Sequence, residues 1–225
     1  MKRKSNSVLW MGLAFAIALG FATAVLAIRG TGPKGLVRAL QVTARWSFLP
    51  FWLAYVSGSM PALFGPRFDA LARRGREFGL AYAAAQLIHV GIVVWLFRIS
   101  PQPPLSGILF AYFTIGIIWT YLLATLSFGR LIEILGPRTW RTLRVVGLNY
   151  ILSAFAFDFV RPILHPGRAH DELGLLVQYL PFVAMCIAAP LLVIAAAVRR
   201  RWGMRRHQVG LSAVERLPVT SSSRP

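Results

Sequence analysis

Six stretches of this chain run for about 20 residues each with scarcely a charge, and that pattern limits the fold more than any other feature. About 20 apolar residues wound into a helix cross the ~30 Å hydrocarbon core of a bilayer. A helix also satisfies its own backbone hydrogen bonds where no water is present to do so. The stretches are Val8–Ile28, Trp46–Phe64, Phe78–Phe97, Leu105–Phe128, Leu143–Leu164 and Leu173–Val198. All but the fifth lack Lys, Arg, Asp and Glu, and the fifth carries Arg144, Asp158 and Arg161. The sequence therefore predicts an all-α, six-helix transmembrane bundle over residues 1–198. A basic tail, 199–225, should follow it as a disordered segment, ending in Ser221-Ser222-Ser223-Arg224-Pro225.

Composition agrees with a life in lipid. The chain is 56% hydrophobic and 14% charged, where a soluble domain is about a quarter charged. Its mean hydropathy is +0.60, and it holds only 7 acidic residues against 25 basic ones. A cytosolic enzyme and a secreted disulfide scaffold are both excluded on these grounds. The single cysteine, Cys186, excludes an internal disulfide and the multi-cysteine zinc and iron–sulfur frameworks. The net charge of +18 lies between apolar runs, where its partners are anionic lipid headgroups. Nucleic acid is not an expected partner, because no recognition fold surrounds the Arg199–Arg206 cluster.

Counting Lys and Arg on alternate sides sets the orientation. With the N-terminus in the cytoplasm, 18 of the basic residues fall inside and 7 outside. The positive-inside rule then places both termini of a multi-pass cell-membrane protein in the cytoplasm. The first outer connection, with Arg29, Lys34, Arg38 and Arg45, runs against this trend. Lys2-Arg3-Lys4, the first apolar run and Ala22-Thr23-Ala24 together resemble a signal peptide, but the uncharged run exceeds the usual 7–15 residues. An uncleaved first helix is expected.

Few polar groups lie at membrane depth, and each is costly enough to suggest a role. His89 stands in the third stretch, one turn after Gln86. Such a histidine serves as a metal or haem ligand, as a proton relay, or as a hydrogen-bonded helix contact, and the residues leave these open. Asp158 and Arg161 are spaced to pair on one helix face near the outer interface. His165, His170, Asp171 and Glu172 surround the last outer turn with a spacing that fits a solvated loop better than a metal site. Arg144 enters the fifth stretch from the cytoplasmic end, at the level of phosphate headgroups. No phosphate-binding glycine loop, nucleophile elbow or zinc-protease motif occurs.

Three passages carry a family likeness. Thr43-Ala44-Arg45-Trp46 leads into a helix ending in Met60-Pro61-Ala62-Leu63. Arg73-Arg74-Gly75-Arg76-Glu77-Phe78-Gly79-Leu80 precedes the helix bearing Leu87-Ile88-His89. Leu135-Gly136-Pro137-Arg138-Thr139-Trp140-Arg141-Thr142-Leu143 leads into the fifth stretch. Their order and spacing resemble the ferric reductase-like transmembrane superfamily, and within it the haem-binding membrane subunit of the bacterial periplasmic methionine-sulfoxide reductase system. The likeness spans residues 42–160. It implies six helices, cytoplasmic termini, b-type haem between helices, and a role as the membrane electron-transfer subunit of an oxidoreductase system. His89 matches the family's third-helix haem ligand, and is the cofactor-binding and metal-binding residue that the likeness assigns.

The fifth helix departs from the family. There the Trp-x-x-Leu motif is followed directly by a ligand histidine, with another about 13 residues on. Arg144 and Phe157 occupy these positions here. Matching residues by depth sets Phe157, flanked by Asp158, opposite His89. Met185 and Cys186 are the nearest sulfur substitutes, and His165 would have to fold back. Two readings follow. In one, electrons pass through haem b at His89 to or from a redox partner protein. In the other, a non-redox, haem-less protein on the same scaffold acts as an interaction partner or binds a small ligand. A transporter would show paired broken helices, which the prolines here do not form.

Overall fold

A computed structural model of the protein describes residues 6–102, 104–128, 135–165 and 172–214, and among these every regular element is helical. The elements are α1 (Ser7–Arg29), α2 (Pro33–Val56), α3 (Met60–Phe64), a single 3₁₀ turn (Pro66–Phe68), α4 (Asp69–Arg73), α5 (Gly75–Ile99), α6 (Gly107–Phe128), α7 (Pro137–Leu164) and α8 (Glu172–Val214). Five of them, α1, α5, α6, α7 and α8, are long and apolar enough to cross a membrane. The chain is a multi-pass membrane protein.

The second stretch is not the helix expected over Trp46–Phe64. The helix runs instead over Pro33–Val56 and breaks at Ser57-Gly58-Ser59, with the short α3 beyond. Local chemistry explains the shift. Gly30 has φ 81°, and Pro33 takes the first helical turn, where its missing N–H costs nothing. Lys34, Arg38 and Arg45 therefore belong to the helix rather than to an outer loop. A search for uncharged runs discards such a segment, yet α2 tolerates its charges because it is wrapped by protein. Leu36, Ala39, Thr43, Ser47, Phe48 and Phe51 are all fully buried.

α2 packs most extensively on α5, and α1 lies across both of them. Ala14, Ala18 and Ala22 form a stripe of small residues on α1, meeting Ala81 and Ala85 of α5 and Leu36 and Ala39 of α2. Small residues let helices approach closely where lipid offers no hydrophobic drive for association. Trp46 of α2 ties this trio by donating its indole N–H to the Ala14 carbonyl at 3.1 Å.

A second group pairs α6 with α7, and α8 bridges α7 to α2. Gly147 allows the α6–α7 approach, since a Cβ there would stand 2.7 Å from the Trp119 ring and 2.8 Å from Leu123. Between the two groups lies an aromatic core. Phe48 and Phe51 of α2 meet Phe155 and Phe159 of α7 with ring centroids 5.1–5.4 Å apart. Because α6 leans on α7 more than on α5, space remains between α5 and the α6–α7 pair.

The last helix does not stop at Val198. It continues to Val214, carrying Arg199–Arg201 on helical backbone, and 215–225 lie outside the described residues. Arg199 donates to the Leu63 carbonyl at 2.6 Å and Arg200 to the Gly58 carbonyl at 2.8 Å. Both carbonyls lie beside helix ends, where intrahelical partners run out.

Candidate functional site

The space between the helix groups forms two cavities stacked along the bundle. The one nearer the α5–α6 connection, the outer cavity, has a volume of about 360 Å³, and the one nearer the start of α5, the inner cavity, about 170 Å³. Tyr82, Thr120 and Ile151 line both and so form the partition between them. The Tyr82 and Thr120 hydroxyls are hydrogen-bonded at 3.0 Å, which closes the partition with a polar pair satisfied within itself.

His89 lines the outer cavity, together with Gln41, Gln86, Thr114, Asp158 and Tyr179 among mainly apolar walls. Its depth follows from the register of two antiparallel helices. Thr43 lies ten residues after Pro33 and His89 ten before Ile99, so each stands about 15 Å from the outer end of its helix at 1.5 Å per residue. His89 Nδ1 and Thr43 Oγ1 are 3.1 Å apart. Thr43 Oγ1 also lies 2.9 Å from the Ala39 carbonyl and 3.2 Å from the Leu40 carbonyl, and His89 makes a further hydrogen bond to the backbone at Leu40. These contacts hold the imidazole in place, and the ring nitrogen without a hydrogen is the one that can ligate metal or accept a proton donor. Gln86 Oε1, one turn away, is buried with no hydrogen-bond partner. An orphaned buried acceptor is costly unless something donates to it.

Phe157 does not face His89. Its ring packs outward on α6, 6.0 Å from Tyr112 and 6.1 Å from Phe113, and it is 39% exposed. The α7 wall of the cavity is Ala154, Phe155, Asp158, Phe159 and Pro162. That is one helical face by spacing, and Phe157 falls off it. Matching by depth fixed the height along the helix but not the direction around it.

Asp158 thus presents to the cavity, and Arg45 of α2 and Arg161 are the cations that act on its carboxylate. Around Arg45 lies a polar layer that the sequence reading missed. Arg38 and Arg45 both donate to Gln178 Oε1, at 3.3 and 3.4 Å, and Arg38 also donates to Gln41 at 2.9 Å. The Arg45 guanidinium lies 4.5 Å above the Tyr179 ring. A signal was present in the sequence, because Lys34, Arg38, Gln41 and Arg45 are spaced four, three and four apart on one helical stripe.

The remaining candidates disperse. Met185 and Cys186 belong to the packed core on α8, outside the lining of either cavity. His165 caps the end of α7 and is exposed. His170 and Asp171 lie outside the described residues. Among the described residues, no group of three or more His, Cys, Asp or Glu could hold a metal ion. The residues do not fit a bis-imidazole haem, since the wall facing His89 offers a carboxylate, alanine, proline and phenylalanines. Arg144 lines the inner cavity, seven residues into α7.

Searches against known protein families, curated proteins and solved structures return no match for this chain.

Proposed function

We propose that this protein holds a small lipophilic molecule in its outer cavity, on a ferric reductase-like scaffold that has given up bis-imidazole haem. In this reading α2 is a sixth crossing, and both termini face the cytoplasm of a cell membrane, as the excess of basic residues on that side favours, with Lys34, Arg38 and Arg45 now counted in α2. The observation that carries the proposal is the orphaned Gln86 Oε1 one turn from the His89 imidazole, in a cavity of about 360 Å³. That volume lies within the range of small-molecule pockets. A fitting ligand is apolar in body and carries hydroxyl or amine hydrogens for the amide oxygen and the imidazole. Thr43 orients the imidazole, and Arg45 with Arg161 balances the carboxylate on the opposite wall.

Native mass spectrometry of the detergent-extracted protein tests the reading. A small-molecule adduct is expected on the wild type and should be lost from His89→Ala and from Gln86→Leu. An adduct equally abundant in both variants, or no adduct at all, would contradict it.

The place of His89 on the cavity lining supports one second reading, electron transfer through a single haem b held by His89 alone, with electrons exchanged with a redox partner outside the bilayer. Such a centre would be high-spin, because no second strong ligand stands across the cavity. A high-spin haem signal that vanishes in His89→Ala would favour it over the ligand-binding reading.

A further inference from the structure

The inner cavity has a different chemistry, independent of the outer one. Arg76 from the first turn of α5 and Arg144 from α7 both line it, with Ser127 of α6 and Trp140 of α7 beside them. Among the described residues no acidic side chain lines this cavity. Arg76 and Arg144 are both exposed, and two like charges on the lining of one cavity repel each other across it. An anion relieves it.

Guanidinium forks match the oxygen pairs of phosphate, and the Trp140 indole supplies a neutral donor. The apolar floor of Phe51, Leu80, Leu123, Leu148 and Ile151 continues toward the bundle interior. We infer that the inner cavity is a phosphate-binding site, clamped by Arg76 and Arg144. The phosphate belongs to a phospholipid headgroup or to a soluble phosphate, and the two sources are separable.

The test is native mass spectrometry of the full chain in neutral detergent, titrated in one arm with phosphatidylglycerol and in the other with inorganic phosphate. The wild type should bind one equivalent of one probe, and the Arg76→Gln/Arg144→Gln variant should bind it about ten- to hundredfold more weakly, as expected for lost charge-assisted hydrogen bonds. Loss confined to the phosphatidylglycerol arm assigns a lipid headgroup, and loss in the phosphate arm assigns a soluble phosphate. Arg144→Lys, which keeps the charge but not the fork, should fall between wild type and the double variant, while Arg98→Gln at the other end of α5 should bind as wild type does. Equal binding by wild type and the double variant, or no saturable binding of either probe, would overturn the assignment.

Discussion

The two cavities share a wall, four helices and the Tyr82–Thr120 hydrogen bond, yet their chemistry differs. The outer one offers acceptors: an imidazole nitrogen, an orphaned amide oxygen and a carboxylate. The inner one offers donors, two of them cationic. On α5 Arg76 of the inner cavity lies thirteen positions from His89 of the outer, and on α7 Arg144 lies fourteen from Asp158. The same two helices thus place residues at two levels of the bundle, and substitution at those levels decides what each cavity can hold. The scaffold sets where ligands fit; the side chains set which.

Several substitutions should break this contrast in a graded way. The largest effect is expected from Arg45→Met. It removes the donor to Gln178 and the cation over the Tyr179 ring. A hydrogen bond from a charged group contributes about 1.5–3 kcal/mol and a cation over an aromatic face about 0.5–1 kcal/mol, which puts the expected loss at about 3 kcal/mol. Thermal unfolding in detergent measures it, and Arg45→Met/Asp158→Asn should recover the part that comes from Asp158. If the double variant is no more stable than Arg45→Met, Asp158 is not the partner.

Gly147→Val should cost about 1–3 kcal/mol by overpacking, because its side chain enters the space of Trp119 and Leu123. Leu123 and the neighbouring Leu148 line only the inner cavity, so anion binding should suffer while the outer cavity keeps its ligand. Equal loss at both levels would show that the partition does not separate them. Thr43→Val is the mildest change, at about 1 kcal/mol for one hydrogen bond. It loosens the His89 ring, so outer-cavity affinity should fall while inner-cavity binding stays constant. An unchanged outer affinity would mean that Thr43 does not orient the ring.

The sequence made the lipid-facing helices plain and hid the protein-facing one. α1, α5, α6, α7 and α8 announce themselves because lipid tolerates no charge along them. α2 was obscured for the opposite reason, since Arg38 and Arg45 spend their charge on Gln41, Gln178 and Tyr179 inside the bundle. His89 was legible as an isolated polar group at depth, and the structure sets it in a cavity. Its relation to Gln86 could be read from the one-turn spacing, whereas the Thr43 contact joins residues 46 apart and depends on the α2 register. The Phe157 error has a simple origin, because one residue is only 1.5 Å of depth but 100° of direction. That Arg76 and Arg144 line one cavity is likewise a product of tertiary packing that no local pattern encodes.

The central claim is that the outer cavity holds a single imidazole, with Asp158 rather than Phe157 on the facing wall. A reduced-minus-oxidised absorption spectrum of detergent-purified protein tests it most directly, recorded for wild type, Phe157→His and Asp158→His after incubation with haemin. The account predicts no stoichiometric low-spin haem in wild type or in Phe157→His, and a gain of low-spin character in Asp158→His, where a second imidazole would enter the cavity. A stoichiometric low-spin spectrum in wild type, or one created by Phe157→His and not by Asp158→His, would contradict it.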